Sequence, residues 1–523
     1  MTVSLGRRLD GWLPLTSGQL PGGPVHGSRT GQWSCRGGWQ RTFAVVLTAG
    51  LVTLSHSVVS AQHADAPTFN DDIAAILFDN CASCHRAGQV APMALTSYAA
   101  VRPWARAIKG KVLAREMPPW YADARYGSFR NEMTLTEDEI DTLVAWADAG
   151  APEGSGAPPA LPVFSEGWMH PSGQDPDVVI QMPFEYQIPA EGQSENFNIY
   201  QENPFDEIVD LQAVQILPGN PRATHHSSMG ARGLPRGTKL GRGPAFPGGP
   251  VIDNVPVPIA AGETFDNSGD RNEDEAPETE DARRARLERE AFDVQGTSLF
   301  VFYVPAGGFK QWPAGVGKRI APDDYLNWGL HYNSTGIPET DRHSIGLWFQ
   351  TGEMTHEVLS RRVGETHIAE RSELVATHVA DRRTRPARIP VIPPGDADWA
   401  ITGITTFQDD VTLYIVWPHM HVRGKDMTFV VTYPDGREEI LLHVPRYEFN
   451  WQLHYEFEEP VKLPAGTTIK TIGHFDNSVR NRYNPAPDKE VYWADQSWDE
   501  MFNGRIDYSV DKLDLRLATS GIN

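Results

Sequence analysis

Residues 412–426 read TLYIVWPHMHVRGKD, an apolar, partly β-branched run that ends in two histidines one residue apart. β-branched and aromatic residues favour strands, and residues i and i+2 of a strand point to the same face. The pattern therefore predicts a buried strand whose end presents His419 and His421 to one site. Taken alone, the pair fits either a metal site or two hydrogen-bonded structural histidines.

Strand-like runs of similar length fill the chain from about residue 176 onward, bounded by Gly, Pro, Asn and Asp. Besides the opening run, the clearest are DVVIQM, IVDLQAVQIL, SLFVFYV, SIGLWFQ, MTFVVTY, EILLHV and TIKTIGHF. Regular short strands with turn residues between them are typical of antiparallel sandwiches. We therefore predict two all-β sandwich domains, at 176–352 and 396–523, joined by a linker over 353–395.

The charge of the chain restricts its partners. The formal net charge is −22, and the stretch DNSGDRNEDEAPETED (266–281) alone has a net charge of −7, within an acidic insertion predicted at 262–292 of the first sandwich. This balance argues against nucleic acid and anionic membrane surfaces as partners. The insertion is predicted to be solvated, with an exposed helix over TEDARRARLEREAF (279–292).

The amino-terminal region has the pattern of an export signal. Arg36 and Arg41 precede the apolar run FAVVLTAGLVTL (43–54), and small residues follow near Ala61. The run is too short for a membrane span. We expect a leader and signal peptide at 1–61 and a periplasmic or secreted mature chain without a membrane span. Because Cys35 lies in this leader, the mature chain would keep only two cysteines, Cys81 and Cys84.

These two cysteines form the motif Cys81-Ala-Ser-Cys84-His85, which is C-x-x-C-H, the attachment signature of a c-type haem. Two thiols add to the porphyrin vinyl groups, and the adjacent imidazole becomes an axial ligand of the iron. A redox dithiol is the alternative, which the following histidine and the export signal disfavour.

Helices are predicted on both sides of the motif. The segment 69–80 has apolar residues at helical spacing, and a capping-box pattern from Thr136 to Glu139 starts a helix that ends before Gly150. Residues from about 66 to 153 resemble the bacterial cytochrome c family, which implies a small all-α domain, and we place this domain at 62–155. A linker at 156–175 follows it.

The sixth ligand of such a haem is predicted to be Met117. Pro118 and Pro119 stiffen the loop after Met117 and prevent a helix from continuing through it. Met93 and Met133 are alternatives, and each also fits the role of an apolar core residue.

Further candidate ligands lie in the β-rich half. His225 and His226 are adjacent in PRATHHSSMG, and His331 lies in NWGLHYNSTG. Adjacent residues of a strand point to opposite faces, so His225 and His226 share an ion only if the backbone bends there. Met501, in ADQSWDEMFNGRIDYSV, offers a thioether, a donor that selects copper and especially Cu(I).

The segments HHSSM, LHYNSTG, HMHVRGK and WDEMFNGRIDY, in this order, resemble the copper type II, ascorbate-dependent monooxygenases. This family includes the peptidylglycine hydroxylating and dopamine β-monooxygenases. The resemblance implies two jelly-roll domains that face each other across a solvent gap, each with a copper ion. His225, His226 and His331 would bind the electron-transferring copper. His419, His421 and Met501 would bind the copper at which oxygen reacts.

Two positions depart from the family pattern. Peptide-hydroxylating members place a substrate-carboxylate-binding arginine where this chain has Trp417, and a tyrosine where it has Arg505. A peptide or amino-acid carboxylate is therefore not expected to be anchored in the same way.

Together these features predict an exported oxidoreductase with haem c and two copper ions. It would use O2 to hydroxylate a C–H bond of a small organic substrate, with electrons from a periplasmic donor delivered through the haem. The alternative is a non-catalytic redox or copper-binding module. A zinc hydrolase is a third reading, but the sequence has no convincing glutamate base beside the H-x-H pair.

Overall fold

The computed structural model describes most of the chain from residue 66 onward. The described ranges are 66–164, 167–191, 197–233, 240–241, 255–256, 298–305, 307–322, 324–364, 371–376, 392–491 and 497–520. The leader and signal peptide predicted at 1–61 lie outside these residues. So do the acidic insertion predicted at 262–292 and the helix within it.

The first part of the described chain is helical. Its elements are a π-helical turn (Phe69–Ile73), α1 (Ala74–Asn80), α2 (Tyr98–Val101), a 3₁₀ turn (Arg102–Trp104), α3 (Ala105–Leu113) and α4 (Glu137–Asp148). Their apolar faces meet in one cluster that includes Ile73, Leu77, Ile108, Leu143 and Trp146. The π-helical turn and α1 together span the segment 69–80, where a helix was predicted.

The capping box predicted at the start of α4 is present. The side chain of Thr136 accepts a hydrogen bond from the Glu139 backbone N–H, and the Glu139 carboxylate accepts one from the Thr136 backbone N–H. None of the helices in the described part of the chain has the length and apolarity that a membrane crossing requires.

The first sandwich is formed by strands between residues 178 and 357. They are β1 (Val178–Gln181), β2 (Tyr186–Ile188), β3 (Phe197–Glu202), β4 (Val209–Leu217), β5 (Thr224–Gly233), β6 (Leu240–Gly241), β7 (Val255–Pro256), β8 (Ser298–Tyr303), β9 (Phe309–Gln311), β10 (Val316–Ile320), β11 (Asp324–Tyr332), β12 (Glu339–Asp341), β13 (Ser344–Phe349) and β14 (His356–Glu357). One sheet has the order β1-β13-β4-β10-β14, with β9 beside β4, and the other has the order β3-β11-β5-β8. Side chains from both sheets, such as Leu347 and Trp328, share one apolar core.

The second sandwich follows with the same two-sheet plan. Its strands are β15 (Leu359–Arg362), β16 (Arg371–Ala376), β17 (Trp399–Thr406), β18 (Val411–His419), β19 (Gly424–Thr432), β20 (Glu438–Val444), β21 (Tyr455–Leu463), β22 (Thr468–Phe475) and β23 (Asn503–Val510), and a helix, α5 (Leu515–Ser520), comes last. The sheet orders are β15-β23-β18-β21 and β16-β17-β22-β19-β20. All of the strand-like runs in the sequence form strands, so the prediction of a mainly β chain beyond residue 176 is confirmed. The range 353–395, predicted as a linker, contains β14, β15 and β16.

The two sandwiches pack directly on each other through β18. This strand is buried at every position, and its residues Tyr414 and Ile415 belong to the core of the first sandwich. A buried ion pair between Lys310 of β9 and Asp507 of β23 joins the same faces. Burial on both sides explains why the run that precedes His419 is continuously apolar.

The segment 120–133, between α3 and α4, packs on the second sandwich. The Trp120 and Phe129 rings lie 4.8 Å and 5.4 Å from the Tyr455 ring. The Arg130 guanidinium pairs with Glu456 of β21 and also donates a hydrogen bond to the Gln311 carbonyl of β9, at 2.7 Å. One side chain from the helical part therefore contacts both sandwiches.

Candidate metal centres

The first histidine cluster lies where β5 pairs with the end of β11. His226 is opposite His331 in the antiparallel register, but the next pair is Thr224 with Tyr332, so His225 is an extra residue in β5. Such a β-bulge bends the strand and redirects a side chain. The bulge therefore supplies the backbone bend that two adjacent histidine ligands require.

The ring nitrogens of the three histidines converge. Nδ1 of His331 lies 3.2 Å from Nδ1 of His225 and 3.0 Å from Nε2 of His226. One nitrogen from each residue lies within 4.8 Å of the other two. Metal–imidazole bonds of about 2.0–2.1 Å place ligand nitrogens about 3 Å apart. The spacing therefore fits a shared ion, and the triad can hold a metal.

Burial favours the neutral form of two imidazoles in this cluster, those of His225 and His226. It lowers the pKa of His225 to about 4, although a hydrogen bond with the Asn450 side chain acts in the opposite direction. It also lowers the pKa of His226 well below its usual value, and the neighbouring histidines add to the effect. A neutral imidazole has the lone pair that a metal needs. The lowered pKa values of His225 and His226 therefore favour the form of these two side chains that binds a metal.

The second cluster begins at the end of β18. The strand ends at His419, and His421 follows in the turn to β19, with the two rings perpendicular and their centroids 5.3 Å apart. The sulfur of Met501 lies 3.3 Å from Nε2 of His419. The predicted ligands thus meet, but a turn positions His421 where strand alternation was expected to do so.

Glu500 holds this turn in place. Its carboxylate accepts hydrogen bonds from the backbone N–H groups of His421 (2.9 Å) and Arg423 (2.7 Å). Burial raises the pKa of Glu500 to about 8, against these hydrogen bonds. The Tyr447 hydroxyl accepts from the Met420 N–H at 3.0 Å and donates to the Met420 carbonyl at 2.7 Å. Side chains, not a strand ladder, therefore set the positions of His421 and Met501.

Hydrogen bonds also select which ring nitrogens face the second site. Nδ1 of His419 donates to Oε1 of Gln452, which is buried, and Nδ1 of His421 donates to the Asp499 carbonyl at 3.3 Å. Acceptors of this kind fix the tautomer and orientation of histidine ligands. They leave Nε2 of both rings for a metal. Burial lowers the pKa of His419 well below its usual value, and the neighbouring His421 and Arg505 lower it further.

Aromatic rings lie between the two clusters. The Phe449 ring centroid is 5.2 Å from that of His225 and 6.0 Å from that of His421. A second series of ring contacts runs from His226 through Phe302 and Trp417 to His419, with centroid distances of 5.2, 4.5 and 5.8 Å. The resemblance implied a solvent gap between the copper domains, whereas side chains of both sandwiches occupy this space.

A small cavity lies between the sandwiches beside these rings. Its volume is about 20 Å³, and its walls include Phe302, Lys310, Trp417, Arg505 and Asp507. Such a volume holds about one water molecule. Trp417, 8% exposed, has its indole Nε1 in a buried position without a hydrogen-bond partner among the described residues. Trp417 therefore lines the cavity, and its buried donor has no hydrogen-bond partner among the described residues.

The C-x-x-C-H motif forms a tight turn at the end of α1. The backbone N–H groups of Cys84 and His85 donate to the Cys81 carbonyl at 3.2 and 2.9 Å, and both cysteines are unpaired. Burial raises the pKa of Cys81 to about 12 and also raises that of Cys84. Nδ1 of His85 donates to the Met93 carbonyl at 3.3 Å, which leaves Nε2 for a metal. Two thiols and an oriented imidazole in one turn fit covalent haem attachment.

The three candidate sixth ligands lie in different surroundings. Met93 packs on the helical core, as Cys81 does, and Met133 packs on the core of the second sandwich. Met117 is half-buried in the segment after α3. The assignment to Met117 stays a prediction.

The Cys84 thiol interacts electrostatically with Tyr303, the last residue of β8. Burial raises the pKa of Tyr303, and the charge of Cys84 contributes to the shift. Tyr303 follows Phe302, whose ring stacks on His226 at 5.2 Å. Because consecutive residues of a strand point to opposite faces, Tyr303 and Phe302 lie on opposite faces of β8.

Sequence reasoning missed the side chains that support the clusters. Glu500 and Arg423 lie inside the quoted segments WDEMFNGRIDY and HMHVRGK, where a charge among apolar residues was a usable signal. Phe449, Asn450 and Gln452 lie in RYEFNWQL, between β20 and β21, and had no such signal. Only the folded chain brings that turn to the histidines.

No family model and no curated protein sequence matches the chain. Solved structures give weak similarities. A Paenibacillus xanthan lyase is 10% identical with a TM-score of 0.16, over 70% of this chain and 29% of the lyase. An allantoicase is 7% identical with a TM-score of 0.15, over 55% of this chain and 79% of its own. The VP2 subviral particle of infectious bursal disease virus is 9% identical with a TM-score of 0.14, over 65% of this chain and 76% of the VP2 chain. The chain thus spans less than a third of the lyase, and similarities at this level identify neither fold nor function.

Proposed function

We propose that this chain is an exported copper- and haem-containing oxidoreductase, an O2-dependent monooxygenase that hydroxylates a C–H bond of a small organic substrate. The observation that carries the proposal is the pairing of two unlike donor sets. The first cluster offers three imidazoles, and the second offers two imidazoles and a thioether. Imidazole suits several metals, but the thioether selects copper, especially Cu(I).

In this proposal the two sandwiches are jelly-roll copper domains, and the helical part is a cytochrome c domain. Cys81 and Cys84 would carry the haem covalently, with His85 and Met117 as axial ligands. Such a pair leaves no open position on the iron, which suits electron transfer better than oxygen binding. In this proposal the haem would deliver electrons one at a time from a periplasmic donor to the copper domains.

The overall reaction would consume R–H, O2, two electrons and two protons, and would yield R–OH and water. Copper supplies the oxygen chemistry and haem the one-electron transfer when they are bound. The protein's own contribution is orientation and exclusion of water. Gln452 keeps the His419 proton on Nδ1, and Glu500 holds the backbone of His421 next to Met501. Phe449, Phe302 and Trp417 fill the space between the clusters with apolar rings.

The alternative is a non-catalytic redox or copper-binding module. The small cavity beside Trp417 favours it, because a volume of about 20 Å³ admits no organic substrate unless the sandwiches separate. Both candidates predict copper and haem in the purified protein. Only the monooxygenase predicts substrate-dependent oxygen consumption.

The test combines metal analysis, visible spectra and an oxygen assay on the exported full chain. We expect about one haem and about two copper ions per chain, and oxygen consumption that requires copper, reductant and an organic substrate. His421→Ala should abolish turnover while haem reduction continues, and Cys84→Ser should remove covalent haem. Copper and haem without oxygen consumption across a broad substrate screen would favour the redox module. Absence of copper from both clusters would overturn the proposal.

A further inference from the structure

A short turn of the second sandwich contacts ligands of both histidine clusters. This bridging turn is Phe449–Gln452, between β20 and β21. The Phe449 ring touches His225 of the first cluster and His421 of the second. The Asn450 side chain also hydrogen-bonds the His225 ring. A single turn of the second sandwich is therefore part of the first site as well.

The same turn orients His419. Gln452, only 1% exposed, accepts the Nδ1 proton of His419 through its side-chain oxygen. Its side-chain nitrogen donates to the Phe449 carbonyl at 3.0 Å. This hydrogen bond links Phe449, which packs between the clusters, to Gln452, which orients His419 of the second site.

These contacts make the ligand rings of the two sites dependent on each other. A metal at the first site fixes the His225 ring, and a fixed His225 limits where Phe449 and Asn450 can lie. Because side chains in contact at native density cannot shift independently, Phe449 then limits the His421 ring and, through Gln452, the His419 ring. Binding of the first ion therefore includes the entropy cost of ordering these side chains. The second ion binds without that cost.

We infer that the bridging turn couples the two sites, so that a metal ion at either site tightens binding at the other. The inference rests on the proposed function only in requiring that both clusters bind copper. It assigns Phe449 as the positioning residue that carries the coupling. Linkage requires the effect to be reciprocal, because each ion must change the affinity of the other by the same factor.

The experiment measures Cu⁺ affinity with a chromophoric chelator that sets the free Cu⁺ concentration, using the haem-containing full chain. His226→Ala removes the first site and His421→Ala removes the second. X-ray absorption identifies the occupied site, because only the second has a sulfur ligand. We expect the second site of His226→Ala to bind Cu⁺ at least about 5-fold more weakly than the second site of the parent chain does. The first site should weaken by the same factor in His421→Ala.

The same measurements are then made in a Phe449→Ala background. Loss of one site should now change the Cu⁺ affinity of the other by a factor close to one, while both sites still bind copper. Phe449→Leu keeps an apolar side chain without the ring and should give a smaller factor than the parent, which covers the case in which the alanine variant does not fold. Tyr433→Ala is the matched control, because Tyr433 packs on the same core but lies against Arg437. This control should leave both factors unchanged.

Three outcomes decide the matter. Reciprocal coupling that disappears with Phe449 supports the inference. Independent binding of two copper ions in the parent chain, or coupling that survives both Phe449 variants, overturns it and leaves the proposed function standing. Failure of both clusters to bind copper removes the proposed function together with the inference.

Discussion

The two histidine clusters are built in different ways. In the first, all three ligands lie on two paired strands, and a β-bulge provides the one bend that is needed. In the second, one ligand ends a strand, one lies in a turn and one precedes another strand, and buried side chains hold them together. The first site is therefore determined by the strand ladder, whereas the second depends on a few polar contacts. The second should be easier to lose by mutation.

The largest effect is expected from Glu500→Ala. It leaves the buried N–H groups of His421 and Arg423 without an acceptor, which costs about 2–6 kcal/mol. We expect the variant to be less stable to urea and to load copper only at the first cluster. Glu500→Gln should have a smaller effect, because its amide oxygen still accepts from one of the two N–H groups while its NH2 group cannot accept from the other. If Glu500→Ala still bound copper fully at both clusters, the second cluster would not depend on Glu500 as the comparison requires.

The next effect concerns Glu456, on β21 close to the bridging turn. Burial acts to raise the pKa of Glu456, but the His454 and Arg130 contacts outweigh it and lower the pKa to about 2. A lowered pKa gives stability that is present above the unfolded value near pH 4.5 and is lost as pH falls through about 2. The contribution should fall from about 3 kcal/mol at pH 7 to about 1 kcal/mol at pH 3.

Urea unfolding at pH 7 and pH 3 checks this prediction. The stability difference between the parent chain and Glu456→Gln should shrink as the pH falls. Glu458→Gln, at an exposed position on the same strand, is the control and should change little at either pH. A difference for Glu456→Gln that stays constant with pH would show that the charge of Glu456 is not what stabilises the fold.

The smallest effect is expected from Gln452→Leu. The His419 Nδ1 proton loses its acceptor, and removal of such an orienting partner weakens metal binding about 10–100-fold. Cu⁺ titration should show the loss at the sulfur-containing site, with the first cluster still loaded. Gln452→Glu keeps an acceptor oxygen and should retain most of the affinity. Equal weakening of both clusters by Gln452→Leu would mean that the second is no more dependent on side-chain support than the first.

Local patterns in the sequence were enough to predict the strands and the capping box, because alternation, turn residues and the Thr136–Glu139 spacing act over a few residues. The sequence also singled out the residues of both clusters. It did not predict the bulge at His225, since strand register depends on the partner strand. Nor did it predict contacts such as Phe449 with His421, which join segments far apart in the chain and follow no local period.

The position of Arg130 has a consequence for motion. Its guanidinium pairs with Glu456, 326 residues further along the chain, and also bonds the Gln311 carbonyl on the other sandwich. Any movement that separates the sandwiches must break one of these contacts, and a break at Glu456 leaves that buried carboxylate with His454 as its remaining ion-pair partner. If the proposed function is correct, the Arg130 contacts would therefore set a free-energy cost for opening a space between the two sandwiches.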